Sequence, residues 1–456
     1  MQQTPKKIHF IAIGGSVMHN LAIALKQGGD RVTGSDDEIF EPSRSALKGN
    51  GLLPEKEGWH PDRVTGDIDA VILGMHAKKD NPELLKAQQL GLKIYSFPEF
   101  IYNHSVDKQR VVIAGSHGKT TITAIVVHVL NFFKRKFDYV IGARIKGIDT
   151  MVKLSDAPLI IIEGDEYLCS ALDPTPKFLR YQHHIGVISG AAWDHANVFK
   201  TEEEYTKQFD MFADQTPKSG ILIFCENDPM VSIIGNKQRA DVLSVPYKTH
   251  PHAMENRREY LTNAKERIPI KIFGAHNLQN ISAAKELLKR VGINSEQFYQ
   301  AIPSFEGAAG RLEKVKESNT TIVFKDFAHA PSKVKASVKA VKEMYPNRDT
   351  VACLELHTYS SLNKAYLPQY KDSLKGISTA AIFFNPEKLK AKNYEMLTEA
   401  EIKHAFGNSS LQVFDDPHKL ETFLTSLTWK DKNLVMMSSG NFGGLNINTL
   451  ANKILA

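Results

Sequence analysis

Short apolar, β-branched runs recur along the chain, each followed by a stretch whose apolar residues return every three to four positions. A fully buried parallel strand reads as a continuous apolar run, and an amphipathic helix reads with a period near 3.6 residues. Their alternation predicts repeated βαβ units and an α/β fold. The strand-like runs fall into three blocks. IHFIAI at 8–13, VTGSD at 32–36 and AVILGM at 70–75 form the first. RVVIAG at 110–115, PLIIIEGDE at 158–166 and IGVISG at 185–190 form the second. TTIVFKDFAHAP at 320–331, VACLEL at 351–356, AAIFFN at 380–385 and NLVMMSSGNFGG at 433–444 form the third. The polar stretch 103–109 and the glycine-rich stretch 307–313 separate them, which predicts domains over 1–108, 109–313 and 314–456.

Composition narrows the class. The chain has 456 residues, enough for three domains with separate cores. No apolar run approaches the roughly 20 residues that cross a bilayer, so no membrane association is expected. The opening MQQTPKKIHFIAIGG reads as a first strand entering a glycine turn rather than as a signal peptide. Cys169, Cys225 and Cys353 are too widely spaced for a metal motif or a disulfide framework, which fits a reducing cytoplasm. The net charge of +6 is dispersed except at Lys134, Arg135 and Lys136, read as a solvated turn, so nucleic acid is not an expected partner.

Two glycine turns carry candidate chemistry. In the first, Gly14, Gly15 and Ser16 join strand to helix, where backbone amides can receive a diphosphate. Counted from Gly14, Ser16 and His19 occupy the second and third glycine places of G-x-G-x-x-G, while Asp36 stands at a ribose-binding distance. Taken alone, this turn leaves open a dinucleotide, another nucleotide diphosphate, or a purely structural role. The second turn is more specific. Gly115, Ser116, His117, Gly118, Lys119, Thr120 and Thr121 lie between an apolar strand and the helical ITAIVVHVL. That is the setting of a phosphate loop, in which amides cradle phosphate oxygens, Lys119 reaches the β and γ phosphates and the Thr120 hydroxyl can bind magnesium. Ile113 stands where the first glycine of the usual P-loop pattern belongs.

GSHGKTT resembles the G-T-H-G-K-T-T loop of the Mur ligase family, and further family motifs follow in order. IIIEGDEY resembles the E-A-D-E segment, which implies Glu163 as a magnesium ligand. SGAAWDHANVF at 189–199 is similar to the aspartate–histidine segment and implies His195 as the ligand of a second metal ion. FGAHNLQNISAA at 273–284 resembles the adenine-reading element and implies Asn277 and Asn280. FEGAAGRLE at 305–313 resembles a boundary motif with Arg311 in place and Gly310 replacing its first arginine. DFAHAP at 326–331 implies nucleotide contacts from Asp326 and His329. Asp210 stands where some relatives carry a carbamylated lysine, so none is expected, with Lys207 a remote candidate.

The resemblance implies three α/β domains, Rossmann-like at each end and of P-loop ATPase type in the centre. It also implies an ATP- and magnesium-dependent ligase in which Lys119, Glu163 and His195 are catalytic, forming an amide through an acyl phosphate. A UDP-sugar would lie near Gly14, Gly15, Ser16, Ser35 and Asp36, with His76 and Asn81 as wall residues. His117 favours the branch that activates the lactyl carboxylate of UDP-N-acetylmuramate. Val17, GSDDEIFEPSR at 34–44 and SSGNFGG at 438–444 favour L-alanyl-γ-D-glutamyl-meso-diaminopimelate over L-alanine as acceptor. His357, Lys364 and Asn441 are candidates to line that acceptor's site. An NAD-dependent oxidoreductase, a non-catalytic UDP-sugar or ATP sensor and a folylpolyglutamate synthetase are weaker alternatives. Each leaves some of these motifs without a purpose.

Overall fold

The protein is described by a computed structural model covering residues 4–455 except 144, 146, 149, 238 and 265. Three mainly parallel sheets account for the three apolar blocks. The first runs in the order Arg31–Ser35, Lys7–Ile11, Ala70–Leu73, Ile94–Ser96, all parallel. The second has seven strands, with Gln109–Ala114 at its centre between Ile185–Ile188 and Leu159–Glu163. The third has six strands, ordered Glu313–Glu317, Ile322–Asp326, Lys432–Met437, Asp349–Leu356, Thr379–Phe384, Gln412–Phe414. Its first strand is antiparallel to the next, and the remaining pairs are parallel.

The third sheet shows why its strands read as unbroken apolar runs. Ile322, Phe324, Ala352 and Leu354 enter one apolar cluster, whereas Val323, Val351 and Cys353 enter the other. Neighbouring side chains point to opposite faces, and both faces are covered. Helix Pro331–Met344 covers the first through Val334, Val338 and Val341 at helical spacing, while Leu420, Leu424, Leu450 and Ile454 cover the second.

A three-stranded antiparallel sheet, His252–Glu255, Arg258–Asn263 and Glu266–Ile270, was not foreseen from the sequence. Its strands are short and mix polar with apolar residues, so they lack the apolar runs that reveal the others. By chain contacts the molecule forms two compact units. One comprises Met1–Ala191, Lys207–Tyr247 and Ala283–Asn294; the other comprises Ala192–Thr206, Lys248–Ser282 and Ser295–Ala456. Among the described residues no helix is long and apolar enough to cross a membrane. All three cysteines are buried and unpaired.

Candidate active site

The phosphate loop leaves the central strand of the seven-stranded sheet and enters helix Lys119–Phe132. That helix is apolar on every side, with Ile122, Ile125, Val126 and Val129 fully buried, so its N-terminus is rigidly placed. Two glycines are required here. Gly118 caps the helix in the left-handed region at φ 79°. Gly115 has φ 131°, and a Cβ on it would lie 2.2 Å from Ser189 Oγ. Ser116 donates its amide to Gly190 O at 2.9 Å, so in this conformation that amide is not a phosphate donor as expected from the sequence.

Lys119 folds back on its own loop. Its ammonium donates to Gly115 O at 2.5 Å and lies 2.7 Å from Glu166 Oε2. Burial alone would pull its pKa down, but Glu166, with Asp165 and Glu163 behind it, outweighs burial and holds it above the ordinary lysine value. Glu166 was not singled out from the sequence, although it closes the quoted IIIEGDE run. Asp165, also passed over, pairs with Lys177 at 2.6 Å.

Glu163 ends strand Leu159–Glu163 in register with Ile113, which brings its carboxylate beside the start of the loop helix. The Thr120 hydroxyl donates to Glu163 Oε1 at 2.6 Å, and the Gly142 amide donates to Oε2 at 2.8 Å. Two hard oxygen donors in contact suit magnesium. Among the described residues no group of three or more His, Cys, Asp or Glu could hold a metal.

The first glycine turn corrects the frame taken from the sequence. The left-handed residue is Ala12, at φ 68°, and the helix begins at Ser16. The glycine fingerprint is therefore counted from Ala12, with Gly14 second and Val17 third, not from Gly14. Gly14 donates its amide to Asp36 Oδ2 at 2.7 Å, so Asp36 closes the turn and occupies an amide that was assigned to the diphosphate. Burial, the largest effect, raises the Asp36 carboxyl from 3.8 to about 7, with Asp37 adding to the rise and the Gly14 amide opposing it. Ser35 is fully buried at the end of its strand. Asn81, expected in the wall of the sugar site, instead caps helix Pro82–Gln89, its side-chain oxygen accepting from the amides of Glu83 and Leu84. His76 is exposed.

The second unit carries the remaining candidates. Asn277 and Asn280 lie at the start of helix Ala275–Arg290; Asn277 Nδ2 donates to Phe273 O at 2.9 Å, and Asn280 Nδ2 to Asn277 Oδ1 at 3.4 Å. The Arg311 guanidinium stacks over the Phe327 ring, 4.4 Å from its centroid. Asp326 ends its strand and accepts from the Ser337 hydroxyl.

His195 is half-buried and left-handed, at φ 56°. Its amide donates to Asp194 Oδ1 at 2.7 Å. Asp194, which the sequence reading passed over, is buried and faces Lys333 at 3.0 Å and His329 Nε2 at 3.6 Å. Burial disfavours its charge, yet Lys333, then His195 and His329, outweigh burial and hold the carboxyl well below its ordinary value. For His329, burial first and Lys333 second lower the imidazole pKa against the pull of Asp194.

Of the acceptor candidates, His357 stands beside Glu355. Its carboxylate accepts from the Ser438 hydroxyl and the Phe442 amide and lies 3.5 Å from His357 Nδ1. A cleft of about 370 Å3 lies beside Asn441, lined among others by Glu313, Lys314, Lys325, Asp326 and Ser438; His357 is not among its lining residues. Lys364 is engaged elsewhere, by Glu401 at 2.8 Å and Glu395 at 3.2 Å, so it is not brought into this cleft. Asp210 pairs with Lys237 at 2.5 Å, and Lys207 is exposed.

Comparison with known proteins gives consistent findings. The family model described as Mur ligase middle domain matches residues 113–288, and that described as Mur ligase family, catalytic domain, matches residues 7–108. The chain is 31% identical over 386 residues, 81% of each chain, to the UDP-N-acetylmuramate–L-alanine ligase of Caldicellulosiruptor bescii. It is 25% identical over 455 residues to the UDP-N-acetylmuramate–L-alanyl-γ-D-glutamyl-meso-2,6-diaminoheptandioate ligase of Haemophilus influenzae, covering 96% of this chain and 97% of that one. The crystal structure of the UDP-N-acetylmuramate–alanine ligase of Thermotoga maritima superposes with a TM-score of 0.70 at 19% identity over 98% of both chains.

Proposed function

The chain belongs to the Mur ligase family of ATP-dependent ligases, and on that premise we propose that it joins the lactyl carboxylate of UDP-N-acetylmuramate to the amine of L-alanyl-γ-D-glutamyl-meso-diaminopimelate. Residues 1–108 would bind the UDP-sugar, 109–313 ATP, and 314–456 the acceptor. A carboxylate lacks a leaving group, so it must first be phosphorylated. Lys119, released from Glu166 and Gly115 O, would take up the charge of the β and γ phosphates while the lactyl oxygen attacks the γ-phosphorus in line. Thr120 and Glu163 would hold one magnesium ion and His195 a second; when bound, they supply positive charge to the phosphate oxygens. Asn277 and Asn280, each with a side-chain amide that donates and accepts, would read the adenine edge. Arg311, Asp326 and His329 would complete the nucleotide site. The acceptor amine then attacks the acyl carbon, the C–O bond to phosphate breaks, and the amine loses a proton as the amide forms.

The observation that carries the choice of acceptor is the cleft beside Asn441. Its volume falls within the roughly 300–1,000 Å3 of small-molecule sites and exceeds what one alanine fills. Glu313, Lys314 and Lys325 line it with both signs of charge, as a peptide ending in an ammonium and carboxylates requires. L-Alanine is the second reading, favoured by the name of the relative at 31% identity. Kinetics with UDP-N-acetylmuramate, ATP and each acceptor separate them. The tripeptide should exceed L-alanine in kcat/KM by at least about tenfold, because distant polar partners stay unpaired when alanine binds alone. A kcat/KM for L-alanine equal to or above that of the tripeptide overturns the choice.

A further inference from the structure

The segment that carries His195 is fastened by residues remote from it in sequence. Trp193 O accepts the Tyr366 hydroxyl at 2.8 Å, and the Ala196 amide donates to Ser360 Oγ at 2.9 Å. Ser360 and Tyr366 are 3% and 1% exposed, so water does not compete for either bond. Apolar contacts accompany them: the Trp193 ring lies edge-on to Tyr366 at 5.3 Å, and Ala196 packs in the cluster that contains Leu362 and Tyr366. Between these two anchors His195 holds a left-handed backbone, a conformation that a residue with a Cβ keeps only where its surroundings over-determine it. The Asp194 carboxylate, tied to Lys333, accepts the His195 amide from the third side.

We infer that Tyr366 and Ser360 are positioning residues that fix the main chain on either side of His195 and so set where its imidazole stands. Both follow strand Asp349–Leu356 in the chain. The inference rests on the proposed metal role of His195.

Tyr366→Phe removes one hydroxyl and keeps the ring; Ser360→Ala removes the other anchor. Binding of Mn2+ to the ADP complex, read by electron paramagnetic resonance, reports the metal sites without turnover. Partners that orient a metal ligand are typically worth about tenfold or more in metal affinity, so each variant should weaken one Mn2+ site by about that factor. Each should also raise the Mg2+ concentration needed for half-maximal turnover while leaving the KM for the UDP-sugar unchanged. His195→Ala should weaken the same site, and adding Tyr366→Phe to it should cost nothing more. Unchanged Mn2+ binding in folded Tyr366→Phe and Ser360→Ala, with the site weakened in His195→Ala, overturns the inference and leaves the metal reading standing. Wild-type Mn2+ binding in His195→Ala overturns the metal reading itself.

Discussion

At the scale of single residues, two carboxylates decide how the two glycine turns rest. Glu166 holds the Lys119 ammonium at 2.7 Å, standing in for the phosphate charge that the lysine would otherwise meet. Lys119→Ala should keep the fold, since the loop is built from backbone and glycine, and should lower kcat by about 100-fold or more through loss of a preorganised charge. Near-normal turnover in a folded variant would refute the loop's role. Asp36 gives a pH prediction. Its carboxyl is raised from 3.8 to about 7, so the folded protein keeps a proton that the unfolded chain has already lost. Stability should therefore fall as the pH rises from about 4 to about 7, as linkage requires where the native state binds more protons. Asp36→Asn should remove this component from the urea midpoint measured against pH. An unchanged slope would show that burial does not hold the proton there.

At the scale of elements, the buried strands and the phosphate-loop helix were legible because their chemistry is local. A strand covered on both faces must be apolar throughout, and the loop's glycines are dictated by backbone angles. The antiparallel sheet of 252–270 was not, because short strands of mixed polarity carry only a weak pattern. The first glycine turn was placed but framed from the wrong residue, since Ala12 adopts a backbone angle that the sequence advertises only through glycine. Asn81 is a similar case. Read as a ligand residue, it caps helix Pro82–Gln89 through bonds of 3.0 and 3.1 Å to Glu83 and Leu84. Asn81→Ala should cost about 1 kcal/mol of stability, the usual worth of such a cap, with the KM for the UDP-sugar unchanged. A large rise in that KM without loss of stability would restore Asn81 to the sugar site.

At the scale of the whole molecule, long-range partners escaped the sequence for a plain reason: nothing local marks them. Asp194 and Lys333 are 139 positions apart and Ala196 and Ser360 are 164 apart, yet these pairs hold the His195 segment. Motif order along the chain was enough to propose phosphoryl transfer to a sugar-borne carboxylate, followed by attack of an amine. That sequence of steps has a direct isotopic consequence. With both lactyl carboxylate oxygens of UDP-N-acetylmuramate labelled as 18O, the attacking oxygen becomes the bridge to phosphorus and leaves with it. Mass spectrometry of a single turnover should find one 18O in the inorganic phosphate and ADP as the nucleotide product. Unlabelled phosphate, or label in AMP, would contradict the acyl phosphate route and with it the role given to Lys119, Thr120 and Glu163.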